Sequence, residues 1–349
     1  MKIAVLLSGG VDSSVALRLL KDEGHDITAF YLKIWLQDEF SYLGDCPWEE
    51  DLNFAQAVCQ QADVPLEVIP LQNEYWEYVV SYTISEISEG RTPNPDIFCN
   101  SLIKFGQFFN IVGDSFDKVA SGHYAIVENQ GNKFYLKRSP DPIKDQTYFL
   151  AYLTQQQLSK VLFPIGGFNK KEIRLIAQKY DLPNKERKDS QGICFLGKIK
   201  FSDFIKHHLG DKPGEIIDIE TGKILGTHNG YYYYTIGQRS GLKLGGGPWY
   251  VVEKDVAKNI IFISKNYELV DKDKDHFKVT KFNWFNEKPK CENLLVKIRH
   301  GERLMKGKLH FDNDNFGTVF LESADRGIAP GQFAVFYDED YCLGAAVIL

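Results

Sequence analysis

The sequence of 349 residues lacks the segments that mark membrane and secreted proteins. No apolar run approaches the roughly 18 residues that a membrane span needs. The first apolar run stops at Ser8 without a small-residue cleavage pattern, so we expect no signal peptide. These absences predict a cytoplasmic protein that makes no membrane contact.

The sequence also lacks paired cysteines. None of its 6 cysteines has a partner at CxxC spacing, which argues against a zinc knuckle. A reducing compartment disfavours a structural disulfide framework as well. Each thiol is therefore either a small buried group or a reactive centre. Helix or strand patterns favour burial for Cys59, Cys291 and Cys342. Segments with Gly or Pro hold Cys99 and Cys194, and Cys46 in "GDCPWEE" is open to either role.

Basic residues are not in excess, because the net charge is −6. This balance argues against a large nonspecific nucleic-acid binder, but it leaves room for a local basic face. Local positive charge occurs in "KERKDSQG" and "KIKFSDFIKHH", which are either solvated or in contact with RNA phosphates. For the aromatic run at residues 231–234 we predict a strand with alternating core and surface positions, rather than a base-stacking surface.

The order of elements predicts an α/β protein of three domains. Residues 2–7 form a buried strand, residues 11–24 a helix that Gly24 ends, and "HDITAFYLKIW" a second strand, which is typical of a parallel sheet. Similar signals continue through a domain of residues 1–205. Residues 206–273 are rich in Gly and β-formers and predict a small β-rich central domain. Short alternating strands over residues 274–349 predict a C-terminal β-barrel.

The stretch "SGGVDSS" lies between the first strand and the first helix. Gly9 and Gly10 let the backbone approach an anion, and the helix start directs N–H groups at it. Neither GxxxxGK[ST] nor GxGxxG is present, so a P-loop NTPase and a dinucleotide fold are disfavoured. A generic glycine turn is the alternative. The stretch resembles the PP-loop of the ATP pyrophosphatases, which cleave ATP between the α- and β-phosphates and adenylate a substrate oxygen.

The whole chain resembles the tRNA-specific 2-thiouridylases. Motifs of that family occur here in the same order: "SGGVDSS", "GRTPNPDIFCN", "SGHYA", "KDQTYFL", "FPIGG", "DSQGICFLG", "GQRSGL", "PWYV" and "APGQFAVFY". The resemblance implies ATP-dependent thiolation of carbon 2 of the wobble uridine, position 34 of tRNA. It also implies binding to the anticodon stem-loop, a sulfur-relay or cysteine-desulfurase donor protein, and a monomer.

The family's chemistry assigns roles to three residues. AMP transfer from ATP activates the C2 oxygen, and Mg²⁺ offsets the charge of the triphosphate. Cys194 carries sulfur as a persulfide, and Cys99 resolves it, which leaves a Cys99–Cys194 disulfide. Either Cys99 attacks the persulfide first, or the terminal sulfur attacks the base first. Asp96 takes a proton from N3 of the uracil or from a thiol. An Asx turn is the structural alternative for Asp96, and the two roles can coexist. We expect the prolines to keep this segment non-helical, so that Asp96 and Cys99 face a flipped uracil.

The resemblance also implies ligand contacts. The positions that match ATP contacts are Leu7, Ser8, Gly9, Gly10, Val11, Asp12, Ser13, Leu32 and Gly122. The positions that match tRNA contacts are Asn94, Pro95, Asp96, His123, Lys144, Asp145, Gln146, Arg299, His300 and Gln332. The family more often has Met at position 32, a change that a backbone contact to adenine survives, and often has Tyr at position 300.

The sequence leaves three other interpretations open. A PP-loop ligase or amidotransferase acting on a small metabolite would need no thiol pair. A nucleotide-sensing RNA-binding protein would show no turnover. Three thiols, Cys46, Cys99 and Cys194, could instead hold an iron–sulfur cluster with an open iron site.

Overall fold

The computed structural model describes residues 1–34, 48–189, 201–266, 274–325 and 327–349. Within these ranges, no helix combines the length and apolarity that crossing a membrane requires. The chain forms a parallel α/β domain, a small β domain and a β-barrel, as predicted.

The first domain is built on a parallel sheet in the order β3-β2-β1-β4-β7. The strands are β1 (Lys2–Leu6), β2 (Asp26–Lys33), β3 (Leu66–Pro70), β4 (Lys118–Ser121) and β7 (Val161–Leu162). Ala4 and Leu6 face one core, and Ile3 and Val5 face the other. Burial on both faces explains why β1 is a continuous apolar run. The phosphate loop leaves the carboxyl end of β1, the edge at which such sheets bind ligands.

The helices of this domain cover the sheet. They are α1 (Val11–Asp22), α2 (Trp48–Ala62), α3 (Gln72–Tyr75), α4 (Ser81–Ser88), α5 (Pro95–Phe98), α6 (Phe108–Val112), α7 (Thr147–Leu150), α8 (Gln155–Lys160), α9 (Lys170–Lys179) and α10 (Phe201–Leu209). A π-helical turn at Trp76–Val80 joins α3 to α4, and another at Cys99–Gln107 joins α5 to α6. Gly24 follows α1 with φ +78°, as its predicted role as a helix stop requires.

The central domain is a sheet in the order β10-β11-β8-β9. Its strands are β8 (Gly214–Asp218), β9 (Ile224–His228), β10 (Tyr250–Asp255) and β11 (Ile260–Ser264). The strand predicted at residues 231–234 is wrong, because Tyr231–Tyr233 form a 3₁₀ turn after Gly230, whose φ is +146°. The hydroxyls of Tyr232 and Tyr233 each donate to the Gly210 carbonyl at 2.8 Å. The side chains of Tyr232 and Tyr233 therefore hydrogen-bond to the backbone that follows α10 instead of alternating along a strand.

The C-terminal barrel consists of β12 (Lys274–Trp284), β13 (Asn293–Lys297), β14 (Met305–Phe311), β15 (Phe316–Asp325), β16 (Phe333–Asp338) and β17 (Tyr341–Ile348). Pairing of β12 with both β15 and β17 closes it. A hairpin of the first domain, β5 (Ala125–Gln130) and β6 (Lys133–Arg138), extends this sheet by pairing Cys342 with Leu136. The barrel is thus anchored directly to the first domain.

Candidate active site

The two glycines of the phosphate loop have different surroundings. Gly9 has φ +74°, and a Cβ there would lie 2.2 Å from the Asp51 carbonyl oxygen at the start of α2. Among the described residues, a Cβ on Gly10 would meet only the Ser8 hydroxyl, at 3.4 Å. The Ser13 hydroxyl donates to the Gly10 carbonyl at 3.1 Å, and the Ser8 amide donates to Ser13 Oγ at 3.2 Å. Gly9 is therefore required for packing, whereas Gly10 leaves its side of the loop open.

Two residues that sequence analysis did not assign to the phosphate loop hold it in place. Asn184, which is 1% exposed, donates from Nδ2 to the Gly9 carbonyl at 2.8 Å and to Ser14 Oγ at 2.9 Å. Arg187 donates to the same Gly9 carbonyl at 3.0 Å and forms an ion pair with Asp51. Burial raises the pKa of Asp51, and Arg187 opposes that shift.

These contacts bear on the basic stretches. Within "KERKDSQG", Arg187 is neutralised by Asp51 and Lys185 pairs with Asp181, so neither is a free cation for RNA. In the second stretch, Lys206 lies 3.6 Å from Asp211. Intramolecular ion pairs thus engage Lys185, Arg187 and Lys206, whereas Lys198 and Lys200 of the second stretch lie outside the described residues.

The other end of the loop contacts the "SGHYA" motif. A Cβ on Gly122 would lie 2.5 Å from the Ser13 amide nitrogen, so the motif packs directly on the start of α1. Asp12 accepts from the Tyr124 hydroxyl at 2.9 Å and from Lys170 Nζ at 2.8 and 2.9 Å. Lys170 thus places a cation beside the phosphate loop.

Lys170 also belongs to a charge cluster centred on Asp189. Lys144, Lys170 and Arg174 each lie within ion-pair distance of this carboxylate, at 2.7, 2.8 and 2.7 Å. Burial would raise the pKa of Asp189, but the bonds from Lys144 and Lys170 outweigh it and lower the pKa to about 2. Lys144, a predicted tRNA contact, is therefore tied to the phosphate-loop side of the site.

The segment that carries Cys99 is helical, so the predicted non-helical segment is wrong. Pro95 occupies the first position of α5, where its missing N–H needs no acceptor, and the helix continues through the π-helical turn that starts at Cys99. The helix turns Cys99 into the main core, where it is 2% exposed, while Asp96 stays half-buried. The prolines start the helix instead of preventing it.

Lys104 is a further group of this centre that sequence analysis missed. Burial raises the pKa of the Cys99 thiol, the charge of Lys104 lowers it, and Asp96 raises it. Lys104 Nζ donates to Asn100 Oδ1 at 3.1 Å, and Asn100 Nδ2 donates to the Phe149 carbonyl at 3.3 Å. A fixed cation therefore opposes the cost of ionising Cys99.

His123 is largely enclosed. Its exposed fraction is 8%, and its ring packs near Phe105 and Phe163. Nδ1 lies 2.7 Å from Ser121 Oγ. Burial, with a smaller contribution from Lys104, holds the pKa of His123 well below its usual range, so the ring is neutral.

Several of the predicted tRNA contacts meet where the barrel touches the Cys99 helix. Asn94 Nδ2 donates to Gln332 Oε1 at 3.3 Å, and Gln332 Nε2 donates to the Pro93 carbonyl at 2.9 Å. The His300 ring stacks on Phe149 with a centroid distance of 4.8 Å. Residues from both domains thus form one surface beside Cys99.

The predicted contacts at residues 144–146 divide into different roles. Gln146 Oε1 accepts from the Tyr124 amide at 2.9 Å. Asp145 has no exposed side-chain surface, and Lys297 Nζ of the barrel lies 2.7 Å from its Oδ2. In this structure the Asp145 side chain is therefore out of reach of RNA. It anchors the barrel between two residues that remain partly exposed, Lys144 and Gln146.

The positions of the remaining predicted residues do not show a side-chain contact with a ligand site. The side chains of Leu7 and Val11 belong to the cores, so only their backbone can face a nucleotide, and Leu32 is half-buried near the end of β2. Cys46 and Cys194 lie outside the described residues. Among the residues that are described, no group of three or more His, Cys, Asp or Glu side chains could hold a metal ion.

Comparisons with known proteins cover the whole chain. Residues 1–198 match the tRNA methyl transferase HUP domain, residues 202–265 the tRNA methyl transferase PRC-barrel domain, and residues 274–348 the aminomethyltransferase beta-barrel domain. The chain is 48% identical over 355 residues to the tRNA-specific 2-thiouridylase MnmA 2 of Bacteroides fragilis, with 100% of both chains covered. It is 45% identical over 356 residues to the tRNA-specific 2-thiouridylase MnmA of Parabacteroides distasonis, covering 100% of this chain and 99% of the other.

Proposed function

Because the chain belongs to the family of tRNA-specific 2-thiouridylases, we propose that it adenylates the C2 oxygen of the wobble uridine and then replaces that oxygen with sulfur. The observation that carries this proposal is a continuous chain of contacts between the phosphate loop and the Cys99 helix. The Asp12 carboxylate accepts from the Tyr124 hydroxyl, and the Tyr124 amide donates to the Gln146 side chain. In helix α7, which follows Gln146, the Phe149 carbonyl accepts from the Asn100 side chain.

Adenylation is assigned to the phosphate loop. The uracil C2 oxygen attacks the α-phosphorus of ATP, and pyrophosphate leaves. The open side of Gly10 and the N–H groups at the start of α1 suit the phosphates. When bound with ATP, Mg²⁺ would offset the triphosphate charge. The partly exposed carboxylate of Asp12 would hold it in exchange for the ion pair with Lys170. The positive charge of Lys170 would also offset part of the triphosphate charge.

Sulfur transfer is assigned to Cys99 and Cys194. A persulfide on Cys194 supplies its terminal sulfur to C2, the C2–O bond breaks, and AMP leaves with the oxygen. Attack by the Cys99 thiolate on Cys194 Sγ, before or after that step, forms the disulfide and accounts for the two electrons that reduce the transferred sulfur. Asp96 takes a proton from N3 of uracil or from a thiol. A separate donor protein recharges Cys194 after external reduction of the disulfide.

Substitution of the two loop glycines should have different effects, one on stability and the other on ATP binding. Gly9→Ala should destabilise the fold by about 2 kcal/mol or more, because of its positive φ and the Asp51 contact. Gly10→Ala should leave stability within about 1 kcal/mol of the parent but raise the KM for ATP, since its Cβ narrows the open side. Urea unfolding and steady-state kinetics measure both effects. Equal stability of the two variants contradicts this assignment.

The pH dependence should report the Cys99 thiol. Because burial raises its pKa and only the thiolate attacks, the single-turnover rate of sulfur transfer should rise from neutral to alkaline pH. Lys104→Met should move that rise to higher pH, because the lysine charge lowers the thiol pKa, and Lys104→Arg should restore it. A profile that is the same in Lys104→Met and the parent means that Lys104 has only a structural role.

The proposed function is tested by incubating the protein with ATP, Mg²⁺, a sulfur donor and unmodified tRNA. We expect 2-thiouridine at position 34, and pyrophosphate release that requires tRNA. Pyrophosphate release without tRNA favours a ligase or amidotransferase, and no release favours an RNA-binding protein without turnover. Iron analysis of anaerobically purified protein separates the persulfide route from an iron–sulfur cluster.

A further inference from the structure

A cavity at one end of the barrel has no role in the steps above. It has a volume of about 110 Å³ and is lined by residues 298–303, Met305 and Asp325. Two arginines share its single buried carboxylate. Arg299 lies 2.7 and 3.2 Å from the two Asp325 oxygens, and Arg303 lies 2.7 Å from Oδ2. The lining of the cavity thus carries two cations and two carboxylates, the buried Asp325 and the exposed Glu302.

Asp325 is held in place while the arginines reach solvent. It is 3% exposed, and its Oδ1 accepts from the Gly327 amide at 2.7 Å. The side chains of Arg299 and Arg303 are 50% and 54% exposed. A guanidinium has five N–H donors, and Asp325 uses only part of them. The donors that remain on the two arginines can bind phosphate oxygens. Asp325 and the exposed Glu302 balance the charge of the two arginines within the lining.

The position of the cavity indicates which phosphate could reach it. His300, between the arginines in sequence, stacks on Phe149, whose carbonyl accepts from Asn100 beside Cys99. His300, which belongs to the cavity lining, therefore contacts a neighbour of the surface at which the target base is expected.

We propose that Arg299 and Arg303 form a clamp for a phosphate of the tRNA backbone, and that Asp325 is a positioning residue that holds both guanidinium groups. The inference rests on the proposed function and deepens it. The family resemblance marks Arg299 and His300, whereas Arg303 and Asp325 come from the geometry. Because the clamp binds backbone, it contributes affinity and position but no base specificity.

Arg303→Ala tests the clamp without disturbing the core. The dissociation constant for an unmodified tRNA transcript is measured over a series of salt concentrations. We expect about tenfold weaker binding at low salt, and a slope of log affinity against log salt that is smaller by about 1. Lys308→Ala, which removes an exposed charge from β14 outside the cavity, is the matched control. A slope that changes no more in Arg303→Ala than in Lys308→Ala overturns the clamp.

Asp325→Asn tests positioning. If only net charge matters, losing this carboxylate tightens tRNA binding. If Asp325 positions the arginines, the KM for tRNA rises several-fold with kcat unchanged, although the protein is more positive. Tighter binding overturns the positioning role. Formation of 2-thiouridine by the parent protein, measured alongside, keeps a failure of the clamp distinct from a failure of the proposed function, since the binding measurements do not require turnover.

Discussion

Cys99→Ser is expected to lower 2-thiouridine formation by more than about 10³-fold, because the resolving nucleophile is lost and only binding and positioning remain. Pyrophosphate release that depends on tRNA should continue, since adenylation is assigned to the phosphate loop. Liquid chromatography of nucleosides from digested tRNA and a coupled pyrophosphate assay measure the two outputs on one sample. Cys194→Ser should give the same separation.

A buried serine carries its own cost, so the substitution needs a matched control. Cys59 is 3% exposed in the core on the other face of the sheet, and burial raises the pKa of its thiol to about 11. Cys59→Ser places the same hydroxyl in a similar setting away from the site. It should retain thiolation after correction for the folded fraction. Thiolation in Cys99→Ser as fast as in Cys59→Ser would remove Cys99 from the mechanism.

Lys297→Met should destabilise the protein by about 3–5 kcal/mol, because it leaves the Asp145 charge buried without its main partner. Both side chains have no exposed surface, and their ion pair measures 2.7 Å. The same Asp145 carboxylate accepts from the Thr147 hydroxyl at 3.0 Å, next to Tyr148, whose hydroxyl reaches the Phe333 carbonyl at 3.2 Å. Loss of the pair should therefore loosen the barrel and weaken tRNA binding by displacing the turn that carries Lys144.

Double substitution separates the pair from the loss of a lysine. Lys297→Met with Asp145→Asn removes both charges and should recover much of the stability lost in Lys297→Met. Urea unfolding of the single variants and the double variant completes the cycle, with Lys308→Met as an exposed control. A cost below about 1 kcal/mol for Lys297→Met would show that the pair does not anchor the barrel.

Local patterns in the sequence predicted most elements because each depends on nearby residues. The apolar run of β1 and the alternation of the barrel strands survive in the structure. The Cys99 segment was mispredicted because a proline is compatible with a helix start as well as with a loop. The tyrosine run was mispredicted because Gly230, with φ +146°, and the Gly210 carbonyl decide its shape.

Long-range contacts were beyond pattern analysis. Asn184 and Arg187 hold the Gly9 carbonyl across separations of 175 and 178 residues, and no spacing signals such a contact. The pairing of β6 with β17 likewise depends on the assembled sheet. The family resemblance marked both Asn94 and Gln332 as tRNA contacts, and in the structure their side chains hydrogen-bond across a separation of 238 residues. It did not reveal that Asp145 is buried or that Lys104 acts on Cys99.

The role of Cys99 as the resolving thiol is tested most directly by one turnover without reductant. Protein charged with persulfide is mixed with ATP, Mg²⁺ and unmodified tRNA, quenched with an alkylating agent, and mapped by peptide mass spectrometry under non-reducing conditions. The proposed mechanism predicts a Cys99–Cys194 disulfide in equal amount to the 2-thiouridine formed. Full formation of 2-thiouridine with Cys99 recovered as a free, alkylated thiol would contradict it.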